Sequence, residues 1–298
     1  MTNSERENLL SRWAEPPSDS EQTRCDNAER VIRNAVQDSE ILRDLEIRVF
    51  AQGSYKNNTN VRLNSDVDIC VCLMDTFSTD YSFAPNLSDE ALGISGATYT
   101  YQQFKNDLGD ALVAEFGKAN VKRGNKAFDI RENTYRLESD VVACIEQSRY
   151  SSDTGYHRGT TIYPDDGTTI HSWPFHHYDN GVQKNTESGR RFKRIVRIMK
   201  NLRNTLAENG SKPAEAIPSF LNECLVWNTP NNILAAPSLS DALRDTLVHL
   251  WQALETDANC NEWGEVSEMK YLFRPSQPWT REQARDWIWT AWQSLEYS

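Results

Sequence analysis

Two patterns overlap along Asp66-Val67-Asp68-Ile69-Cys70-Val71-Cys72-Leu73, and together they constrain the fold more than any other stretch of the chain. Val67, Ile69, Val71 and Leu73 fall on one face of a strand, and Asp66, Asp68, Cys70 and Cys72 fall on the other. Beyond Asp68 both faces are apolar, which predicts a central strand covered on both sides. Its start alone is acidic. Two carboxylates so placed project from the same face and repel, and a divalent cation relieves that repulsion; all-oxygen ligation of this kind suits Mg²⁺, with Mn²⁺ as a substitute. Solvated acids at an exposed strand end are the plainer account of an Asp-x-Asp pair taken alone.

The neighbouring segments give the pair a context. Ile47, Val49 and Ala51 alternate in a preceding strand that ends at Gly53-Ser54. A glycine there lets the backbone approach phosphate oxygens, while a Ser hydroxyl donates to them. Eleven residues separate Ser54 from Asp66, enough for the chain to return and bring the turn to the acids. A third carboxylate, Asp140, lies in the apolar run Glu138-Ser139-Asp140-Val141-Val142-Ala143-Cys144, with Glu138 in reserve on its face. Three such acids would hold two cations, the arrangement that serves phosphoryl transfer.

The remaining pattern divides the chain. Residues 18–36 read as an amphipathic helix, 76–96 as a loop, 100–116 as a helix, and 120–130 and 135–145 as strands. Asp165-Asp166-Gly167 reads as a hairpin turn, and both His176-His177 and Asn180-Gly181 read as loop. From 188 to 208, Phe192, Ile195, Val196, Met199, Leu202 and Leu206 form a helical stripe with Gly210 as terminator; the rest is mostly helical. Lys193, Arg197, Lys200 and Asn204 flank that stripe, an ordinary solvated helix edge on this pattern alone. The expectation is an α+β chain with a mixed-sheet core at 1–187 and a helical lobe at 188–298.

Gly53-Ser54, then Asp66-Val67-Asp68 and later Asp140, resembles the pattern of the DNA polymerase beta-like nucleotidyltransferases. Within that superfamily the chain is similar to the CD-NTase family, the CdnE-like bacterial relatives of cyclic GMP-AMP synthase and of DncV. Supporting stretches are Ala51-Gln52-Gly53-Ser54-Tyr55, residues 178–185, residues 191–200 and Ile217-Pro218-Ser219-Phe220-Leu221. The resemblance implies a palm domain, a long N-terminal spine helix and a C-terminal helical lobe. It also implies synthesis of a cyclic oligonucleotide second messenger from NTPs, ATP among them, with Mg²⁺, in CBASS antiphage defence. By the same resemblance Asp66, Asp68 and Asp140 are catalytic and metal-binding, while Lys200 and Ser219 contact the triphosphate. Asn180 is a candidate reader of a base edge, because its amide both donates and accepts.

Charge and cysteine usage narrow the alternatives. The formal net charge of -11 over 298 residues argues against a protein that coats nucleic acid, since backbone binding draws on Lys and Arg clusters. Activation by long nucleic acid is therefore not expected; regulatory proteins and a downstream effector are the expected partners. The six cysteines form no CxxC pair and are expected to be reduced and buried. No apolar run is long enough for a membrane helix, and the polar start lacks a signal-peptide pattern, so the expected location is cytoplasmic. Two further readings stay open: transfer to an RNA end or a protein hydroxyl, and a catalytically silent nucleotide sensor.

Overall fold

The computed structural model describes residues 2–61, 66–152 and 155–297. In chain order its helices are α1 (Asn3–Trp13), α2 (Asp19–Asp38), α3 (Gly53–Lys56), α4 (Tyr101–Phe116), α5 (Pro174–Glu187), α6 (Phe192–Glu208), α7 (Lys212–Ala216), α8 (Ser219–Trp227), α9 (Asn231–Leu234), α10 (Leu239–Ala253), α11 (Asp257–Cys260) and α12 (Arg281–Ser294). Its strands are β1 (Ile47–Ala51), β2 (Val67–Asp80), β3 (Val121–Arg123), β4 (Phe128–Ile130), β5 (Ser139–Ser152), β6 (Gly155–Ile162) and β7 (Ile170–Ser172).

The chain forms two compact units. One, the sheet unit, comprises Ser18–Lys56 and Arg62–Pro174; the other, the helical unit, comprises Met1–Pro17, Asn57–Val61 and Phe175–Ser298. The compact units do not follow the 187/188 division expected from the sequence. All of α5 beyond Pro174 joins the helical unit, as do the first seventeen residues and a short piece at 57–61. The amphipathic helix read at 18–36 is α2, and a separate helix, α1, precedes it. Pro16 and Pro17 lie between α1 and α2, and α2 starts through a capping box in which the Ser18 hydroxyl accepts from Glu21 N.

In the sheet unit the strand order is β1-β2-β5-β4-β3, with β6 on a further stretch of β5 and β7 outside β6. β2 and β5 run parallel and every other pair is antiparallel. The alternation read along β2 decides which side chains go where. Val67, Ile69, Val71 and Leu73 pack with Val141, Ala143 and Ile145 of β5 against Ile32 of α2 and Phe104 and Leu108 of α4. The opposite face carries Cys70, Cys72, Val142, Cys144 and Ile162 in a second, smaller apolar layer. All six cysteines are buried and free, as expected.

β2 runs to Asp80, past the point where the sequence reads as loop. Its register against β5 slips between Leu73 and Phe77, and Phe77 to Asp80 then pair with Glu146 to Arg149. A bulge absorbs Met74 to Thr76, which hides the continuation from a simple period-two reading. β6 and β7 form the hairpin expected around Asp165-Asp166-Gly167, with Gly167 at a φ of 82°.

In the helical unit the stripe of α6 (Ile195, Val196, Met199 and Leu202) packs with Leu221 and Leu225 of α8, Leu243 and Leu247 of α10, and Trp287 of α12. The Trp287 indole N–H donates to Asn222 Oδ1 at 2.7 Å, so its polar edge is satisfied inside the core. His176-His177 and Asn180-Gly181, read as loop, lie within α5. Gly181 is buried beside Phe192 in helical backbone, so the Asn-Gly pair does not act as a turn here. The real break comes at Gly189 and Arg190, with φ of 62° and 64°, after which α6 begins at Phe192 and not at Ser188. Among the described residues no helix is long and apolar enough to cross a membrane.

Candidate active site

Asp68 and Asp140 occupy the second positions of β2 and β5, and the parallel register makes them direct Cα partners. Because side chains alternate, both project from the face opposite the α2/α4 core, at the rim of the cysteine-rich layer. Asp129, in the middle of β4, is in turn the antiparallel partner of Asp140. Three carboxylates thus form a row across three adjacent strands. Asp66, one residue before β2, is exposed beside them.

The row is electrostatically loaded. Burial, with Asp140 and Asp66 repelling and Lys126 opposing, pushes the Asp68 carboxyl up to about 6. Burial, then Asp66 and Asp129, raise Asp140 above the usual carboxylate range. Burial and Asp129 do the same to Asp66. Each of these groups is better off when a positive charge arrives.

Gly53 meets the row from the other side. Gln52 N donates to the Asp68 carbonyl at 2.8 Å, which ties the end of β1 to the start of β2. Gly53 follows at a φ of 66°, and a Cβ added there would collide with Asp68 Oδ2. Both the dihedral and the contact demand glycine. Gly53 and Ser54 open α3, and both remain partly exposed next to the acids.

Among the described residues no three His, Cys, Asp or Glu side chains converge as a ready-made metal cage. The donor set nonetheless fits a hard divalent cation. Mg²⁺ is commonly held by one or two carboxylates, with substrate phosphates and water completing its sphere, and the mutual repulsion of these acids is what such an ion removes. Asp129 had a sequence signal that went unused, an acid flanked by apolar residues in Phe128-Asp129-Ile130.

The other candidates lie in the helical unit. Lys200 and Arg197 on α6 are buried, at 3% and 5% exposure, so the basic edge read as solvated is largely interior. Arg197 donates to the carbonyls of Ala14 (2.8 Å) and Asn58 (2.6 Å), and burial with Arg194 nearby lowers it to about 10. Lys200 Nζ donates to Glu223 Oε2 at 2.8 Å and to Thr59 Oγ1 at 3.1 Å. The other Glu223 oxygen lies 2.8 Å from His177 Nε2. Burial works to raise the Glu223 carboxyl, yet Lys200 and His177 together hold it well below the usual carboxylate range. Ser219 is exposed at the first residue of α8. Asn180 donates from Nδ2 to the Val266 carbonyl at 2.9 Å. Glu223 was missed in sequence because an acid inside Leu221-Asn222-Glu223-Cys224-Leu225 carries no sign of its partner.

Comparison with known proteins adds an independent line. Residues 179–296 match the family described as the cGAS/DncV-like nucleotidyltransferase C-terminal helical domain. A cyclic dipyrimidine nucleotide synthase CdnE from Legionella pneumophila is 44% identical over 97% of this chain and 98% of its own length. A protein of the same name from Cecembia lonarensis is 40% identical over 98% of each chain. The structure of the Rhodothermus marinus CdnE c-UMP-AMP synthase with Apcpp and Upnpp superposes with a TM-score of 0.84 at 29% identity, covering 98% of both chains.

Proposed function

The chain belongs to the CD-NTase family of cyclic nucleotide synthases, and from that premise we propose that it joins pyrimidine nucleoside triphosphates into a cyclic dinucleotide. Nucleotidyl transfer itself comes with the family. The observation that carries the pyrimidine reading is the gradient of likeness: 44% and 40% identity to two dipyrimidine synthases, against 34% to a cyclic dipurine synthase and 34% to a cyclic UMP-AMP synthase.

In each transfer a ribose hydroxyl attacks the α-phosphorus of a triphosphate, an α–β bridging P–O bond breaks, and pyrophosphate leaves. Asp66, Asp68 and Asp140 would hold two Mg²⁺ ions. When bound, these lower the pKa of the attacking hydroxyl and offset charge on the triphosphate. Asp140 takes up the hydroxyl proton. Gly53 leaves room for the Asp68 carboxylate against the turn, and the Gly53 backbone and the Ser54 hydroxyl meet the phosphates. Lys200 and Ser219 bind the polyphosphate tail, and Asn180 Oδ1 reads a base edge. Through the family resemblance, the ring serves as a second messenger in antiphage defence, under regulatory proteins and read by a downstream effector.

The test is to incubate purified protein with Mg²⁺ and pairs of labelled NTPs, digest with phosphatase and weigh the resistant product. A ring containing UMP or CMP is expected. A product made only of purines would overturn the base assignment, and absence of pyrophosphate with every NTP mixture, Mn²⁺ included, would sink the catalytic reading. Phage plating on the native host carrying Asp68→Asn should show lost protection; full protection would remove the defence role.

A further inference from the structure

We propose that Glu223, backed by His177, is a positioning residue for nucleotide binding: it fixes the Lys200 ammonium so that one N–H remains for the polyphosphate. This inference rests on the reading of Lys200 as a polyphosphate contact.

An ammonium has three N–H donors and no acceptor. Inside the helical unit, two of those on Lys200 are taken by Glu223 Oε2 and Thr59 Oγ1. The Thr59 hydroxyl in turn donates to the same Glu223 oxygen at 2.9 Å, closing a triangle of three side chains. The remaining Glu223 oxygen is engaged by His177 Nε2, so the carboxylate cannot swing away without abandoning a second partner. Lys200 and Glu223 are 3% and 4% exposed, which leaves water little access to replace any of these bonds. The ammonium is thus bonded to α8 through Glu223 and to residues 57–61 through Thr59, while α5 braces Glu223 through His177.

The lattice also relates Lys200 to Ser219. Ser219 and Glu223 are four apart on α8 and therefore share a helix face, with the exposed hydroxyl one turn from the buried carboxylate. Glu223 accordingly registers the two residues assigned to the polyphosphate against each other. A flexible lysine would lose its rotamer freedom when nucleotide binds; here that loss is incurred on folding. Protein kinases place a phosphate-binding lysine through a glutamate in the same physical manner.

The experiment compares Glu223→Gln, Glu223→Asp, Lys200→Met and the double variant Glu223→Gln/Lys200→Met in the full chain. The readouts are Kd for a non-hydrolysable NTP with Mg²⁺, KM and kcat separately, and melting temperature without nucleotide. Glu223→Gln should weaken nucleotide binding by about tenfold, the scale of one charge-assisted hydrogen bond, with the loss in Kd and KM and not in kcat. Glu223→Asp keeps the charge but shifts the ammonium, so it should lose affinity too; it carries the same expectation if Glu223→Gln does not fold. In the Lys200→Met background Glu223→Gln should cost nothing more. Unchanged or tighter binding by the Glu223 variants, or a full second loss on top of Lys200→Met, would overturn the inference alone. Lys200→Met binding like the wild type would instead remove the assignment of Lys200 and the inference with it.

Discussion

The sheet unit and the helical unit treat buried charge in opposite ways. In the sheet unit Asp68, Asp140 and Asp129 stand side by side on neighbouring strands, and the carboxyls of Asp68 and Asp140 are pushed up by burial and by the acids around them. In the helical unit Glu223 is more deeply buried, yet its carboxyl is pulled down because Lys200 and His177 face it. One arrangement completes itself, whereas in the other Lys126 and Lys122 offset the acids only in part. A folding chain gains nothing from like charges in a row, which is the ground on which the acid row is proposed as the catalytic centre.

The largest effect that can break this contrast is on turnover. Asp66→Asn with Asp68→Asn should reduce pyrophosphate release by at least about 10³-fold, the scale on which removal of transition-state charge stabilisation acts. The same double variant should leave the fold intact and raise the melting temperature in metal-free buffer, because it deletes repulsion without deleting a bond. An active double variant would show the acids to be misassigned, and a destabilised one would show that the row is internally paired after all.

The mirror experiment lies in the helical unit. Glu223→Ala leaves the Lys200 ammonium buried without its counter-charge and should cost about 3–5 kcal/mol of stability, read as a lowered denaturant midpoint. Lys200→Met with Glu223→Leu removes both charges and should recover most of that loss. If Glu223→Ala were as stable as the parent, the two units would not differ in kind.

What could be read from sequence, and what could not, follows the same division. The strand carrying Asp68 was legible because its alternation is local, and Gly53 because a glycine at a strand end facing acids has few other uses. A Cβ on Gly53 would collide with Asp68, which shows that the turn lies against that strand. Continuation of β2 beyond the bulge was hidden because the register resets between Leu73 and Phe77. α5 was hidden because Asn180-Gly181 signals a turn locally, while burial of Gly181 against Phe192 is a long-range event. Glu223 and Lys200 lie on different helices, and nothing in either local pattern announces the other. Local periodicity places a residue on a face; it does not say what will cover that face.

A smaller effect concerns pH. Asp68 releases its proton at about 6 in the folded chain, against about 3.9 for an unfolded aspartate. Folding therefore takes up a proton between those values, and stability should fall as pH rises from about 4 to about 6, then level off. Melting curves in chelator should display that slope in the parent and lose most of it in Asp68→Asn, and added Mg²⁺ should recover stability above pH 6 in the parent alone. A parent stability rising across that window would mean that Asp68 is held ionised by the protein itself, as Glu223 is.

Asn180 gives the smallest effect and tests whether the helical unit contributes recognition as well as charge. Its Nδ2 is committed to the Val266 carbonyl, so only Oδ1 is suited to meet a donor on a base edge. Asn180→Asp keeps an oxygen acceptor and removes the donor, and it should cost about 1 kcal/mol through the lost bond to Val266. Product composition should stay as in the parent. Asn180→Ala removes both and should cost a similar amount of stability while broadening the choice of base, read as the ratio of ring products from equimolar NTPs. If Asn180→Ala preserves that ratio, the side chain serves only to fasten α5 to the segment carrying Val266. Base choice then has to come from other side chains.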